Sequence, residues 1–594
     1  MGPFHDVPAS PGTGAADRPC RSLRRAPVRW LILGAALQAT AGPGAAQVEG
    51  SEQDFFDVFA GAVATGVPRP DLPQTPALTP LSRVSEPDYA DGFGAPAGPG
   101  RPSPRALSNA LSVPANARED RVPLTNLAVA MFQLLASHTH ARSPTLAGPD
   151  ERITIPLAPD DPLAAGDPAA AITLQRSAHA GGTGPGDPRE QLNDVTPSMD
   201  GSSVYGSDAA TEELLRRLDG TGRMKTGPDG GLPIIDGRPA AGDVRRDENR
   251  VLEGVHALFV REHNRLADGI ADGCARTGAS CSGDEIFAGA RRLVTLQQQK
   301  ILYDELLPTL LGTDDLASLA PAHLQDHVSG ALNEYTAAAG RIGHTQVPDT
   351  ILLAKPDGSR RSVPLADCFF DTGCLGDAPL EDLLLGAALQ PAEAVDTVVE
   401  DSLRNALVPG FGQTLRTDLY TLNIARGRDH GLADYMSVRA ALGLPERPLE
   451  DLLPEAIRSA YDDPEATGID LLVGMFGEDL LPGAYLGETA AALWALQFEA
   501  LSREPGFFAT DDLAPGVPDW LDDVSMSRLL SSASGLSPDQ LPADPFRVTP
   551  APAAVPLSPT LPLLAAGVGA LVLARRRRAA VPGRARQAPP RFPD

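Results

Sequence analysis

The chain has 594 residues, a formal net charge of −27, 42% hydrophobic residues, 58 glycines and 58 prolines. So acidic a chain lacks the basic face that a nucleic-acid partner requires, and no nucleic acid is expected. The apolar fraction allows one large core, and the glycine and proline content implies long irregular stretches beside it.

From the N-terminus, Arg21, Arg24, Arg25 and Arg29 precede an apolar run over 30–37, and 41–46 supplies small residues. That order predicts a signal peptide over 1–46 and an exported body. Residues 47–99, rich in Pro, Gly and Ala, read as a linker. Beyond Leu124 amphipathic segments dominate. The clearest covers 248–270, with Val251, Leu252, Val255, Leu258, Phe259, Leu266 and Ile270 at helical spacing. Others cover 284–311, 379–408, 453–462, 485–503 and 524–533. Alternating strands are scarce, so the fold class is mainly α.

Cys20 lies in the signal, and the other four cysteines form two close pairs, Cys274/Cys281 and Cys368/Cys374. Export favours local disulfides. A metal site is the alternative, with spacings longer than a zinc knuckle and no adjacent histidine. Over 546–594, a proline-rich stretch leads to an apolar run at 561–574 and then four arginines, Arg575–Arg578. The run is near the lower length limit for a membrane span, with its basic end cytoplasmic. A membrane is therefore an expected partner, tethering a periplasmic, cell-surface or extracellular body.

The sequence holds no HExxH zinc motif, phosphate-binding loop, Rossmann glycine pattern or GxSxG elbow. Taken singly, His138, His256, His263, His344 and His430 read as structural. Long strings in a fixed order say more. Leu422-Asn-Ile-Ala-Arg-Gly-Arg-Asp-His-Gly431 is the most specific. It is joined by Asp200-Gly-Ser-Ser-Val-Tyr-Gly-Ser207, Ala241-Gly-Asp-Val-Arg-Arg-Asp-Glu248, 256–266 and Arg341-Ile-Gly-His344. Together they resemble the animal haem peroxidases of the peroxidase–cyclooxygenase superfamily, over a domain at 100–545. The C-terminal segment resembles the VPLPA-type sorting signals of Gram-negative bacteria, interrupted by Ser558.

The resemblance implies a large helical single-domain fold binding haem b, with His344 as iron ligand and Asn423 fixing its other ring nitrogen. Arg341, three residues before His344, stands where cyclooxygenases carry a tyrosine, which points to peroxidase chemistry. Arg245 and a distal histidine would cleave hydrogen peroxide, with small electron donors as second substrates. Glu248 matches the carboxylate that esterifies a haem methyl in many relatives; the alternative is a helix-start carboxylate. Thr196, the Ser198 carbonyl, Asp200 and Ser202 match a calcium loop.

The distal segment departs from the pattern. Relatives have a glutamine and then Asp-His-Asp in one helix; here the text is Phe132-Gln-Leu-Leu-Ala-Ser-His-Thr-His-Ala-Arg-Ser-Pro144. Counting back from Pro144 selects His138 over His140. Ser137 then replaces the second ester-forming aspartate, and Thr139 replaces a calcium-binding one. Gln133 precedes His138 by five residues rather than four, about 100° further round an α-helix. Either the helix carries an extra residue or Leu134 occupies the place of the glutamine, which helps to seat halide. A peroxidase is the leading reading; an exported haem-binding or surface-interaction protein with little catalytic activity is the alternative.

Overall fold

The computed structural model describes residues 45–549, except 69–71, 75–76, 119–121, 149, 370, 372, 411–412, 462–467, 505, 509–512 and 515. Most of the predicted signal peptide and the whole predicted C-terminal membrane segment lie outside the described residues. Among those described, no helix is long and apolar enough to cross a membrane.

Helices dominate. They include α1 (Ala45–Thr65), α2 (Asn126–Met131), α3 (Arg250–Thr277), α4 (Gly283–Lys300), α5 (Leu380–Leu389), α6 (Leu419–Asp429), α7 (Glu488–Ser502) and α8 (Met526–Ser534). Strands among the described residues form only two-stranded antiparallel sheets. The central helix α3 starts where the Asn249 side chain accepts from the Leu252 amide at 2.8 Å, and ends at Gly278 with φ +76°. Its predicted apolar positions, from Val251 to Ile270, are all buried.

Two predicted boundaries change. Residues 379–408 do not form one helix: α5 stops at Leu389, and Pro391, which cannot donate into a helical ladder, follows two residues later. Nor are 47–99 merely a linker, because α1 occupies their first part. Phe55, Phe56 and Phe59 of α1 are buried, and Phe55 stacks on Trp520 with centroids 5.2 Å apart. Full burial of such a ring contributes about 1.5–3 kcal/mol. The docking surface is supplied by glycines of α3. A Cβ at Gly269 would lie 2.5 Å from the Phe56 ring, and one at Gly273 2.5 Å from the Phe56 carbonyl oxygen.

Both cysteine pairs are disulfides, Cys274–Cys281 and Cys368–Cys374. One hairpin bears directly on the site: Arg152–Pro156 pairs with Ala171–Gln175, placing Ile155 opposite Ile172. Its apolar face packs on Ala425 of α6, the helix that carries Asn423.

Candidate active site

The distal segment begins with Thr125, whose hydroxyl accepts from the Ala128 amide at 3.2 Å and caps α2. The helix then runs into a π turn, Phe132–His138. An i→i+5 turn absorbs one extra residue and keeps residues five apart on one face. Gln133 and His138 are therefore brought together, while Leu134 is fully buried in the core. Gln133 Nε2 donates to Glu248 Oε2 at 2.9 Å, and its Oε1 accepts from Asn249 Nδ2 at 3.1 Å. His138 is buried, with Nε2 3.8 Å from Glu248 Oε2 and Nδ1 4.0 Å from Asp243 Oδ1. His140 is also buried but faces away, between the rings of Tyr335 and Phe498.

Arg245 sits in the loop before α3, gripped by a partner the motif did not single out. Its Nε and Nη2 donate to the two oxygens of Asp243 at 2.9 and 2.8 Å, and its amide donates to Oδ1 at 2.7 Å. Such a bidentate clamp fixes the plane of the guanidinium. Burial opposes ionisation of Asp243, but Arg245 holds its carboxyl well below the usual range. Burial, reinforced by Arg245, drives the His138 pKa well below 6.5, so its imidazole is neutral. Nearly half of the Glu248 side chain, 47%, is accessible. Protein nevertheless surrounds it closely enough that burial pushes its carboxyl up to about 7.

Across from these groups, His344 lies on a 3-10 turn, Ala339–Thr345, which packs against the π turn. Its Nδ1 is 2.7 Å from Asn423 Nδ2, while Asn423 Oδ1 accepts from Arg341 Nη1 at 3.0 Å. In this orientation the amide donates to Nδ1 and the imidazole proton sits on Nε2. Turning the amide over presents Oδ1 to an Nδ1–H and leaves Nε2 free as a ligand, and it releases Arg341, which then keeps only the Thr336 carbonyl. Burial, then the Arg341 charge, takes the His344 pKa down to about 3, keeping it in the neutral form that ligation needs.

Arg341 donates to neutral acceptors, Asn423 and the Thr336 carbonyl at 3.0 Å. Burial and the charges of Arg426 and Arg245 lower its pKa to about 9. A cation so placed suits an acidic group brought in by a ligand, and haem carries two propionates. A neutral, half-buried histidine, an amide able to set its tautomer and an arginine without a carboxylate partner among the described residues therefore fit haem. His344 would hold the iron, Asn423 would orient His344, and Arg341 would take a propionate.

The predicted calcium donors are less well matched. Asp200 Oδ1 accepts from the Ser202 amide at 2.9 Å, and Ser202 Oγ donates to the Thr139 carbonyl at 2.6 Å. Thr196 contributes its amide to Ser207 Oγ at 3.0 Å. Among Thr196, Ser198, Asp200 and Ser202 only Asp200 carries charge. Burial raises its pKa, and the Arg291 guanidinium acts on the same carboxyl. Among the described residues, no group of three His, Cys, Asp or Glu side chains is placed to hold a metal ion. With one carboxylate, and that beside an arginine, these oxygens offer little negative charge to hold a divalent cation.

A mainly helical architecture thus packs the segment of His344 against the segment of His138. The chain belongs to the animal haem peroxidase family, whose profile matches residues 74–546. It is 28% identical over 523 residues to dual oxidase of Drosophila melanogaster, covering 78% of this chain and 33% of that protein. Against lactoperoxidase of Mesocricetus auratus it is 30% identical over 404 residues, 60% of this chain and 55% of that protein. The chain thus spans about a third to just over half the length of these relatives. Peroxidase A from Dictyostelium discoideum has the same fold, with a TM-score of 0.65 at 24% identity, covering 79% of this chain and 96% of that one. The fold also matches the fatty acid alpha-dioxygenase of Arabidopsis thaliana, with a TM-score of 0.64 at 18% identity over 85% of this chain and 94% of that one.

Proposed function

We propose that the chain is a haem peroxidase that reduces hydrogen peroxide and oxidises small donors. The observation that carries this reading is the pairing of a neutral His138 and a clamped Arg245 with His344, Asn423 and Arg341 on the facing segment. Bound haem would supply an iron centre that accepts the oxidising equivalents of peroxide. His138 takes the proton from the attacking peroxide oxygen and returns it to the departing one. Arg245, kept in plane by Asp243, stabilises the negative charge on that departing oxygen. Overall, one hydrogen peroxide gains two electrons and two protons to give two waters, and two donor molecules each lose one of each.

Haem b would be held through one histidine, His344. A Glu248 ester remains open to this chain, because a carboxyl with a pKa of about 7 is partly protonated at neutral pH. Complete release of haem by acid-acetone would exclude it. Gln133 on the distal face removes the register objection to halide as a donor, which becomes a testable substrate. The signal-like N-terminus and the apolar, arginine-flanked C-terminus support export and tethering. Purified chain reconstituted with haem should show a Soret band and oxidise a phenolic donor with peroxide, and His138→Ala should retain the band while losing turnover. Turnover equal to wild type in His138→Ala would overturn the reading, and haem binding without wild-type turnover would favour the haem-binding alternative.

A further inference from the structure

The π turn leaves a problem of its own. A π turn is rare and appears as a single turn inside an α-helix. Its carbonyls accept from amides five residues on rather than four, and each keeps a second lone pair that a side-chain donor can fill. Two side chains do so. Thr139 Oγ1 donates to the Leu134 carbonyl at 2.9 Å and lies 3.0 Å from Ser203 Oγ. The Tyr335 hydroxyl donates to the Ala136 carbonyl at 2.5 Å. The Thr139 carbonyl in turn accepts from Ser202 Oγ at 2.6 Å. All four residues, Thr139, Ser202, Ser203 and Tyr335, are at most 2% exposed.

The chemistry at Thr139 is specific. A carboxylate there would be an acceptor only and would face the Leu134 carbonyl with nothing to donate. Fully buried, it would also need a cation. A threonine hydroxyl has both a proton for Leu134 and lone pairs for Ser203. The neighbouring loop offers one carboxylate, Asp200, with an arginine already acting on it.

We propose that Thr139, Ser202, Ser203 and Tyr335 form a metal-free latch that holds the π turn and thereby sets Gln133 and His138 against Glu248 and Arg245. Thr139 and Tyr335 are positioning residues: they touch the carbonyls of the turn, and the turn carries the groups that meet substrate. The consequence for catalysis rests on the peroxidase reading, whereas the latch and its independence of calcium do not.

The test uses the full-length, haem-loaded protein and its Thr139→Val, Thr139→Ser and Tyr335→Phe variants. Thermal melts in EDTA and in calcium chloride should coincide for the wild type. A calcium-dependent rise in melting temperature would overturn the metal-free part. Cyanide binding followed in the Soret band reports distal geometry without turnover, because hydrogen cyanide gives up its proton to the distal base as it binds. Thr139→Val should slow cyanide association by roughly 10-fold or more, with the rate constant for the step that consumes a phenolic donor unchanged. Thr139→Ser should restore the wild-type rate. Wild-type cyanide kinetics in Thr139→Val, or equal loss in Thr139→Ser, would overturn the latch. Should Thr139→Val not fold, Tyr335→Phe decides alone, because it removes one hydroxyl and no volume of the ring. Slow cyanide binding then supports the latch and a wild-type rate overturns it.

Discussion

The two halves of the site are held in different ways. The proximal half is local and holds no ion pair among the described residues: His344 and Arg341 share one 3-10 turn, and Asn423 reaches them from one helix, α6. The distal half is charged and assembled from distant segments. Gln133 and His138 come from the π turn, Asp243, Arg245 and Glu248 from the loop before α3, and a bidentate ion pair fixes the arginine. The proximal half can serve as a haem mount without the distal one, while the distal half has no purpose unless something is mounted opposite. Substitutions should separate mounting from chemistry along this line.

The largest effect is expected from His344→Ala. Removing the imidazole that would ligate from that side should abolish the Soret band on haem reconstitution, and a normal band would break the assignment of sides. On the distal side, His138→Ala should leave the Soret band in place and slow the reaction with peroxide by about 100- to 10,000-fold. Arg245→Ala should do the same by about 100- to 1,000-fold, as loss of one preorganised donor to developing charge typically does. Stopped-flow mixing with peroxide reads both, and loss of haem from either variant would show that the division is wrong. Asn423→Ala should be milder, weakening haem affinity by about 10- to 100-fold, the usual cost of losing a ligand's hydrogen-bond partner. Haem titration checks it.

The proximal half was legible in the sequence because its spacing is local. Arg341 and His344 sit three apart, and Asn423 lies inside an uninterrupted helical motif. The distal half was legible only in its residue types. Gln133 five residues before His138 is out of register on an α-helix, and no pattern of apolar positions announces a π turn. The partners that meet the π turn are not local in sequence: Tyr335 donates to its Ala136 carbonyl, and Ser203 contacts the Thr139 hydroxyl that donates to Leu134. Asp243 was visible beside Arg245, but its role as a clamp depends on the loop geometry. In the fold, α3 was readable from its 3.6-residue period. The helix α1 was not, because the signal for its docking lies in two glycines of α3, Gly269 and Gly273, more than 200 positions away.

The smallest effect, and the most diagnostic of how enclosed the distal half is, concerns Glu248. Its carboxyl is raised by burial from 4.5 to about 7, yet 47% of the side chain is accessible. If the enclosure dominates, the folded haem-free chain keeps a proton between those pH values that the unfolded chain has lost. Stability then falls as pH rises through that window and levels off above about 7. Buried histidines act in the opposite sense. His140, with a pKa of about 3, and His256 and His263, at about 4, are depressed from 6.5 by burial. Their contribution is present above 6.5 and is lost as pH falls toward those values. The wild-type melting curve therefore mixes two trends, and Glu248→Gln separates them because it removes one group and leaves the histidines. The variant and wild type should melt together below pH 4.5, with the variant gaining as pH rises and remaining more stable above about 7. A difference that does not change across the window would mean that solvent reaches Glu248 as freely as its accessible surface suggests. The distal half would then be open where the proximal half is closed.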